Sequence, residues 1–356
     1  MMNEITKQKK EFSETVCAVV VTYNRKKLLI ECLDALLEQT RPVDAIYIID
    51  NFSNDGTPDL LKEKNYIHEL PPRNLKEPWK KEFEIMNLTE RKALKIYYVR
   101  MHENTGGSGG FYEGVKRGYE KGYDWLWLMD DDAIPYSNSL EILSEYMNNS
   151  ISALTSTVID INGNIDISHR GSICKNYLSW KIIPIPEEQY LEENNNINID
   201  IASYVGLLIN RNAIKKVGYP LPNMFIFYDD TEHCIRLRNY GSILLIPKSK
   251  IKHLAKRGPQ YRLSSNWKIY YQYRNRLITI KLHFPKNYLY SFIILIYLKI
   301  LFSALIGKKT YSKMLLKAVK DYNNSIVIIN AKNEYRRSFI IYFLYIYTLY
   351  SISFYN

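Results

Sequence analysis

Cysteine is scarce in this chain, four in 356 residues, and Cys17, Cys32, Cys174 and Cys234 show none of the paired spacings of a structural metal site. That excludes a cysteine-built zinc module and a disulfide scaffold, and it fits a reducing compartment. Nothing near the start resembles a secretory signal, and the polar stretch Met1 to Glu14 reads as a loose N-terminal extension. Internal repeats are missing too, so the chain is no solenoid or propeller. Acids are the last shortage. From Ile251 to Asn356 there are eighteen Lys or Arg and only Asp321 and Glu334 against them. Subtraction from totals of 48 and 37 leaves 30 bases and 35 acids before that point, so the formal +11 belongs to the tail.

A tail with that charge could serve nucleic acid or an anionic membrane. Here the bases alternate with Tyr, Ile, Leu and Phe, and the run Tyr288 to Ile306 is far more apolar than an RNA-binding arm. A second apolar run spans Phe339 to Tyr355. Each is nearly long enough to cross a bilayer. Lys299 in the middle of the first favours helices lying in the interface with lysines reaching headgroups. A true span and ordinary core helices are the alternatives. The expected partner is an anionic membrane surface, and no nucleic acid.

Elsewhere the pattern is strand–helix alternation. Cys17 to Thr22 is a continuous apolar run of the buried parallel-strand type, and Lys26 to Gln39 carries apolar residues at helical spacing. Ala45 to Ile49 and Ile96 to Arg100 read as further strands, with a helix to about Lys121 and a strand ending at Asp130. Polar clusters follow the strands, as in an open α/β sheet whose ligands bind at the strands' carboxyl ends. The expected class is α/β with a mostly parallel sheet flanked by helices, followed by a basic amphipathic helical region. Expected boundaries are 1–15 for the extension, 16–265 for a catalytic domain and 266–356 for the tail. Tyr66 to Lys95, with Pro71-Pro72 and Pro78-Trp79, reads as a surface excursion. Glu187 to Asn198 reads as a polar loop, Thr231 to Tyr240 as a helix stopped by Gly241, and Ile243 to Ile246 and Lys250 to His253 as short strands.

Two segments carry chemistry. Asn104-Thr-Gly-Gly-Ser-Gly-Gly-Phe111 opens a helix with bare backbone N–H groups, where Gly106, Gly107, Gly109 and Gly110 have no Cβ to hinder a phosphate. It lacks the Lys-Ser/Thr of a P-loop. Gly114 and Gly118 point to close packing of that helix. Trp125-Leu-Trp-Leu-Met-Asp-Asp-Asp132 is an apolar strand ending in three aspartates. Asp130 and Asp132 are two apart and face one way in extended chain, so together they can grip Mn²⁺ or Mg²⁺. Three adjacent carboxylates repel unless a cation offsets them. A solvated acidic turn is the plain alternative.

Phe227-Tyr-Asp-Asp-Thr-Glu232 opens the later helix, with Asp229 and Glu232 in capping-box relation. Asp230 is then free to face a cleft and take a proton from a hydroxyl nucleophile. His253 ends a short strand, followed by Lys256-Arg257-Gly258, which could reach a diphosphate or belong to the basic tail. Thr22, Tyr23 and Arg25 after the first strand, and Asp50 after the second, stand where a nucleotide base could be read.

Val19-Val-Val-Thr-Tyr-Asn-Arg25, Ile48-Ile-Asp-Asn-Phe-Ser-Asn-Asp-Gly-Thr57 and the aspartate cluster together resemble a family 2 glycosyltransferase of the GT-A fold. The glycine segment, the Asp-Asp-Asp triplet and Asp-Asp-x-Glu resemble the bacterial galactofuranosyl- and rhamnosyltransferase subgroup, over roughly Val16 to Arg257. The resemblance implies that Asp130, Asp132 and His253 ligate the metal and that Asp230 is the catalytic base. It places Thr22, Tyr23, Arg25, Asp50, Asn104, the four loop glycines and Asp131 at the nucleotide sugar, and Asp229 and Glu232 at the acceptor. UDP-galactofuranose or dTDP-rhamnose is the implied donor and a lipid-linked glycan the acceptor. The expected place is the cytoplasmic face of the membrane, peripherally bound, and a homo-oligomer is left open. Leu207 and Leu208 stand where some galactofuranosyltransferases have acceptor-binding tryptophans. The rival readings are a nucleotidyltransferase and an inactive membrane scaffold of the same fold.

Overall fold

The computed structural model describes residues 13–86, 88, 93–177, 179–255 and 266–322. The chain forms two compact units, Met1–Lys175 with Trp180–Gly258, and Asn176–Ser179 with Pro259–Asn356.

Among the described residues the first unit is built on thirteen strands, ten in a large sheet and three in a small one. These are β1 (Val16–Thr22), β2 (Ala45–Asp50), β3 (Trp79–Met86), β4 (Ala93–Arg100), β5 (Trp125–Asp130), β6 (Ala133–Pro135) and β7 (Ile151–Ile159). The small sheet takes β8 (Arg170–Lys175) and β9 (Trp180–Pro184), and the large sheet then takes β10 (Ile197–Ile199). After β11 (Ile201–Ala202), which pairs with β8, come β12 (Leu207–Asn210) and β13 (Ser242–His253). The large sheet runs β10-β13-β7-β12-β5-β1-β2-β4-β3, with β6 on β13. Its β4-β2-β1-β5 core is parallel, as the apolar runs lead one to expect. Antiparallel β12 then joins this core to a second parallel pair, β7 with β13.

Alternation along each core strand feeds two apolar layers. Val16, Ala18 and Val20 of β1 pack with Trp125, Trp127 and Met129 of β5 on one side; Cys17, Val19 and Val21 pack with Leu126 and Leu128 on the other. The first layer is covered by α1 (Lys26–Leu37), α2 (Thr57–Glu63) and, further along, α4 (Ser139–Ser144); between them in sequence, α3 (Gly106–Lys121) covers the second. A short α5 (Glu187–Leu191) precedes α6 (Arg211–Val217) and α7 (Asp229–Arg238), which complete the second layer.

Three expectations change. Trp79–Met86 is a strand of the main sheet, antiparallel to β4, within what reads as a surface excursion. Its charges suit an edge, where only Phe83 is buried. The two short strands near the end are one, β13, with a register shift between Ile246 and Lys250 around Pro247. Glu187 to Asn198 contains α5 and the start of β10.

The second unit contains α8 (Asn266–His283), α9 (Lys286–Leu305) and α10 (309–322). Tyr273 of α8 stacks on Phe292 of α9 at 6.0 Å, and the Tyr270 hydroxyl donates to Asp321 of α10 at 2.9 Å. Lys299, the awkward charge in the apolar run, donates to the Tyr273 hydroxyl at 2.9 Å. By length and composition α9 could cross a membrane, and Tyr290, Ile294, Leu298, Leu301 and Leu305 form an exposed apolar stripe. On α10, Leu315, Ala318 and Tyr322 are buried while Lys313, Lys317 and Lys320 are exposed, which makes this helix amphipathic and basic. The run from Phe339 to Tyr355 lies outside the described residues, as does Lys256-Arg257-Gly258.

Candidate active site

The aspartate triplet sits where β5 stops. Asp130 is its last residue, and the chain then turns through Asp131 and Asp132. The Thr22 hydroxyl at the end of β1 donates to Asp131 at 2.7 Å. Arg25 donates to Asp131 at 3.1 Å and to Asp132 at 2.7 Å. Asp132 Oδ1 accepts no hydrogen bond and lies 3.3 Å from Nε2 of His253. Strand pairing makes this meeting obligatory, because β13 pairs with β6 so that His253 faces Ala133, and Leu254 N–H donates to the Asp132 carbonyl at 2.9 Å. Residues 121 positions apart in sequence thus face one another.

Burial, then the neighbouring Asp132 and Asp131, push Asp130 up to about 7. Burial also raises Asp131, to about 6, against the pull of Arg25 and Thr22. Asp132 goes the other way: burial opposes ionisation, but His253 and Arg25 outweigh it and hold the carboxyl below its ordinary range. Among the described residues nothing hydrogen-bonds the half-buried Asp130 carboxylate. An ionised Asp132 with an uncommitted oxygen, a repelled Asp130 and an imidazole form a donor set of the kind that takes a divalent cation. Of the three expected ligands, the structure brings Asp132 and His253 to 3.3 Å of one another, with Asp130 two residues before Asp132.

The glycine segment is helical from Gly106 onward, and most of its glycines serve packing. A Cβ on Gly106 would lie 2.1 Å from the Phe225 carbonyl oxygen, and Gly106 has φ +71°. At Gly110, Gly114 and Gly118 a Cβ would meet Val21, Val19 and Leu126 at 2.5, 2.2 and 2.6 Å, so α3 lies directly on the sheet. Gly109 lies under the Thr105 side chain. Only Gly107 faces open space. Asn104 accepts from Gly106 N–H at 2.9 Å, and Asn51 accepts from Thr105 N–H at 3.0 Å while donating to the Gly106 carbonyl at 2.8 Å. Buried Asn51 therefore fixes the entry to α3, a role its position in the Asp-Asn-Phe-Ser motif hints at.

Asp50 is fully buried. It accepts from Ser53 N–H at 2.8 Å, Tyr98 hydroxyl at 2.7 Å and Arg100 at 2.6 Å, and so shapes the loop after β2 from beneath. Tyr23 and Phe52 are exposed on the two adjoining loops. Five of the six non-glycine residues with positive φ among those described flank the site: Asn24, Phe52, Phe225, Phe227 and Tyr228. Aromatic residues in this region cost about 1–2 kcal/mol each, and such strain is held where surrounding structure enforces it.

Phe225 to Tyr228 delivers α7. The expected capping box is not formed. Tyr228, in left-handed conformation, precedes the helix, and Asp229 is its first residue. Glu232 is buried and both its oxygens accept from Arg236, at 2.8 and 2.7 Å, while Arg236 also binds the Val217 and Tyr219 carbonyls. A bidentate arginine one turn away outcompetes the cap, and it directs Glu232 into scaffold rather than toward an acceptor. Asp230 is half-buried, and its Oδ1 accepts from Thr231 N–H at 2.5 Å. Burial raises its pKa, with Thr231 and Arg170 opposing. Burial and the adjacent Asp230 push Asp229 up to about 8.

Sequence reasoning missed Arg170, Asp166 and His169. Arg170 is fully buried and donates to the carbonyls of Ser156 (3.1 Å), His169 (3.1 Å) and Val205 (2.7 Å). His169 packs its ring edge-on to His253 at 4.9 Å. Leu207 and Leu208, at the segment expected to differ in acceptor contacts, are buried in β12 between β5 and β7.

The model for Glycosyl transferase family 2 matches residues 17–76 and 84–218. Galactofuranosyltransferase GlfT1 of Mycolicibacterium smegmatis is 26% identical over 232 residues, covering 64% of this chain and 67% of that protein. The chain thus spans about two thirds of that relative's length. The dTDP-rhamnosyl transferase RfbF of Shigella flexneri is 24% identical over 285 residues, 77% of this chain and 82% of that one. GalNAc-T7, solved with UDP, GalNAc and Mn²⁺, superposes with a TM-score of 0.51 at 17% identity, over 75% of this chain and 48% of that chain. S. aureus TarS 1–349 with UDP-GlcNAc superposes at 0.50 and 14%, over 87% and 81%. At such identities these structures speak for the shared fold alone.

Proposed function

Since the chain belongs to glycosyl transferase family 2, we propose that it moves galactofuranose or rhamnose from a nucleoside diphosphate to a hydroxyl of a lipid-linked glycan, with inversion. The relatives named for those two sugars support the choice of donor, UDP-galactofuranose or dTDP-rhamnose. With this membership the nucleotidyltransferase reading lapses. The observation that carries the mechanism is the meeting of Asp132 and His253 at 3.3 Å beside a helix whose Gly107 is open.

In this reading the N-terminus of α3 meets the diphosphate at open Gly107, the helix dipole favouring negative charge there while the Gly106 and Ser108 N–H groups already donate to Asn104 and the Phe225 carbonyl. Thr22 and Arg25 organise Asp131 beneath it. Asp130, Asp132 and His253 would hold Mn²⁺ or Mg²⁺, which supplies charge neutralisation to the leaving diphosphate. Asp230 takes the proton from the acceptor hydroxyl as its oxygen attacks the anomeric carbon; the bond to the diphosphate oxygen breaks and the electron pair leaves with it. One base and no covalent intermediate give inversion. Its raised pKa suits a base that must first be ionised and then accept a proton. The exposed apolar stripe of α9 and the lysine face of α10 support peripheral attachment to an anionic, cytoplasmic membrane face, where a lipid-linked acceptor resides.

Asp230→Asn should keep donor affinity and lose about 10²–10⁴-fold in kcat, measured by release of nucleoside diphosphate with acceptor present. Transfer surviving within a few fold would place the base elsewhere.

A further inference from the structure

His253 has a further neighbour that the proposed reaction does not use. His169 stands at the end of a short 3₁₀ turn and is 3% exposed. Its Nδ1 is 2.7 Å from Ser203 Oγ, and its Nε2 is 3.3 Å from Asp166 Oδ2. One donor atom from each of Asp166, His169 and His253 falls within 4.8 Å of the others, and His253 is in turn 3.3 Å from Asp132. Atoms about 2.1 Å from a common six-coordinate ion stand about 3.0–4.2 Å apart. Asp166, His169 and His253 therefore form a donor cluster of nearly the size that a single ion draws together, and His253 also faces Asp132.

We propose that His169 is a fourth protein ligand of the divalent cation held by Asp130, Asp132 and His253, with Asp166 beside it as a further carboxylate donor. This rests on the reading of that site as a metal centre. Ser203 has a definite part in it. A proton on His169 Nδ1 donated to Ser203 Oγ leaves the Nε2 lone pair for the ion, the usual way an outer hydrogen bond fixes a ligating tautomer. Two imidazoles also change the preferred metal. Mg²⁺ favours oxygen and water, whereas nitrogen donors suit Mn²⁺, Co²⁺ and Zn²⁺. A centre with His169 and His253 selects Mn²⁺ over Mg²⁺ more strongly than one with a single histidine.

The test is metal binding by the full chain without nucleotide, with pulsed electron paramagnetic resonance of bound Mn²⁺ reporting directly coordinated nitrogen. Wild type is expected to show two imidazole nitrogens, and His169→Gln one, with Mn²⁺ affinity lowered by more than the about 10–100-fold that loss of an outer partner costs and the preference over Mg²⁺ reduced. Asp166→Asn is expected to weaken Mn²⁺ while keeping both nitrogens. Ser203→Ala, which leaves every donor in place, gives a second variant should His169→Gln fold poorly; it is expected to lower affinity less than His169→Gln. Wild type showing a single coordinated nitrogen overturns the proposal while leaving a metal held by Asp130, Asp132 and His253. If wild type and Asp132→Asn alike bind no Mn²⁺, the metal centre itself is wrong and this inference goes with it.

Discussion

At the scale of single residues, neighbouring glycines that look alike in the sequence do different work. A methyl at Gly106 would strike the Phe225 carbonyl, and the residue already has positive φ, so Gly106→Ala must shift the loop that delivers Asp230. Gly107 has ordinary φ and open space, and alanine is the better helix former by about 1 kcal/mol. Gly106→Ala should lower the melting temperature by several degrees, since 1 kcal/mol is worth about 2–4 °C in a domain of this size. Gly107→Ala should leave it unchanged or slightly raised but weaken donor affinity, because the new methyl enters the space assigned to the diphosphate. Calorimetry with donor titration separates the two; equal effects of both substitutions on stability would refute the packing account. Asp229 gives a prediction in pH. Its folded pKa of about 8 exceeds the ordinary 3.8, so the folded state holds a proton that the unfolded chain has released. The associated stability is full below about pH 4 and is lost as pH rises toward and through about 8. Asp229→Asn removes that dependence: its melting temperature relative to wild type should climb between pH 5 and pH 9, and a flat difference would contradict the shift.

At the scale of elements, a buried guanidinium helps tie the small sheet to the large one. Arg170 of β8 binds carbonyls on β7 and on the approach to β12, and burial lowers its pKa to about 10. Arg170→Met would leave those acceptors buried and unpaired at about 1–3 kcal/mol each. We expect a loss of about 3–5 kcal/mol in denaturant unfolding; a loss under 1 kcal/mol would show that water or a shifted backbone replaces the side chain. No sequence pattern announces Arg170, because its partners are carbonyls that only the fold brings near. The parallel core was legible for the opposite reason: β1, β2 and β5 are apolar on both faces, and that signal is local. Trp79, Phe83 and Ile85 alternate in β3, but surrounding charges and Pro78 hide the period, which is how an edge strand is protected. The capping box failed because Arg236 offered Glu232 a stronger partner. The convergence of Asp132 and His253 was legible through family resemblance, whereas His169 carried no motif and became visible only through the edge-on packing of its ring against His253.

At the scale of the whole molecule, charge is divided as sharply as in the sequence. The residues before Ile251 are net acidic and those after it net basic, and in the second unit part of that base is sorted onto one helix face. Lys313, Lys317 and Lys320 of α10 point away from buried Leu315, Ala318 and Tyr322, while α9 exposes its apolar stripe. Two attractions follow for a membrane surface: area buried from water, independent of lipid charge, and a Coulomb term that requires anionic headgroups. They can be separated. Each lysine near such a surface contributes about 1 kcal/mol. Replacing all three by glutamine should therefore cost about a hundredfold in affinity for phosphatidylglycerol vesicles, by sedimentation. Binding to phosphatidylcholine vesicles should not change, and raising the salt should reduce wild-type binding toward that of the variant. All three positions are exposed, and the Lys317 ammonium 5.0 Å from the Tyr270 ring is worth about 0.5–1 kcal/mol, so the melting temperature should fall by no more than about 2–4 °C. Were the triple variant to bind anionic vesicles as tightly as wild type, the lysine face would have no part in attachment, and α9 alone would have to account for it.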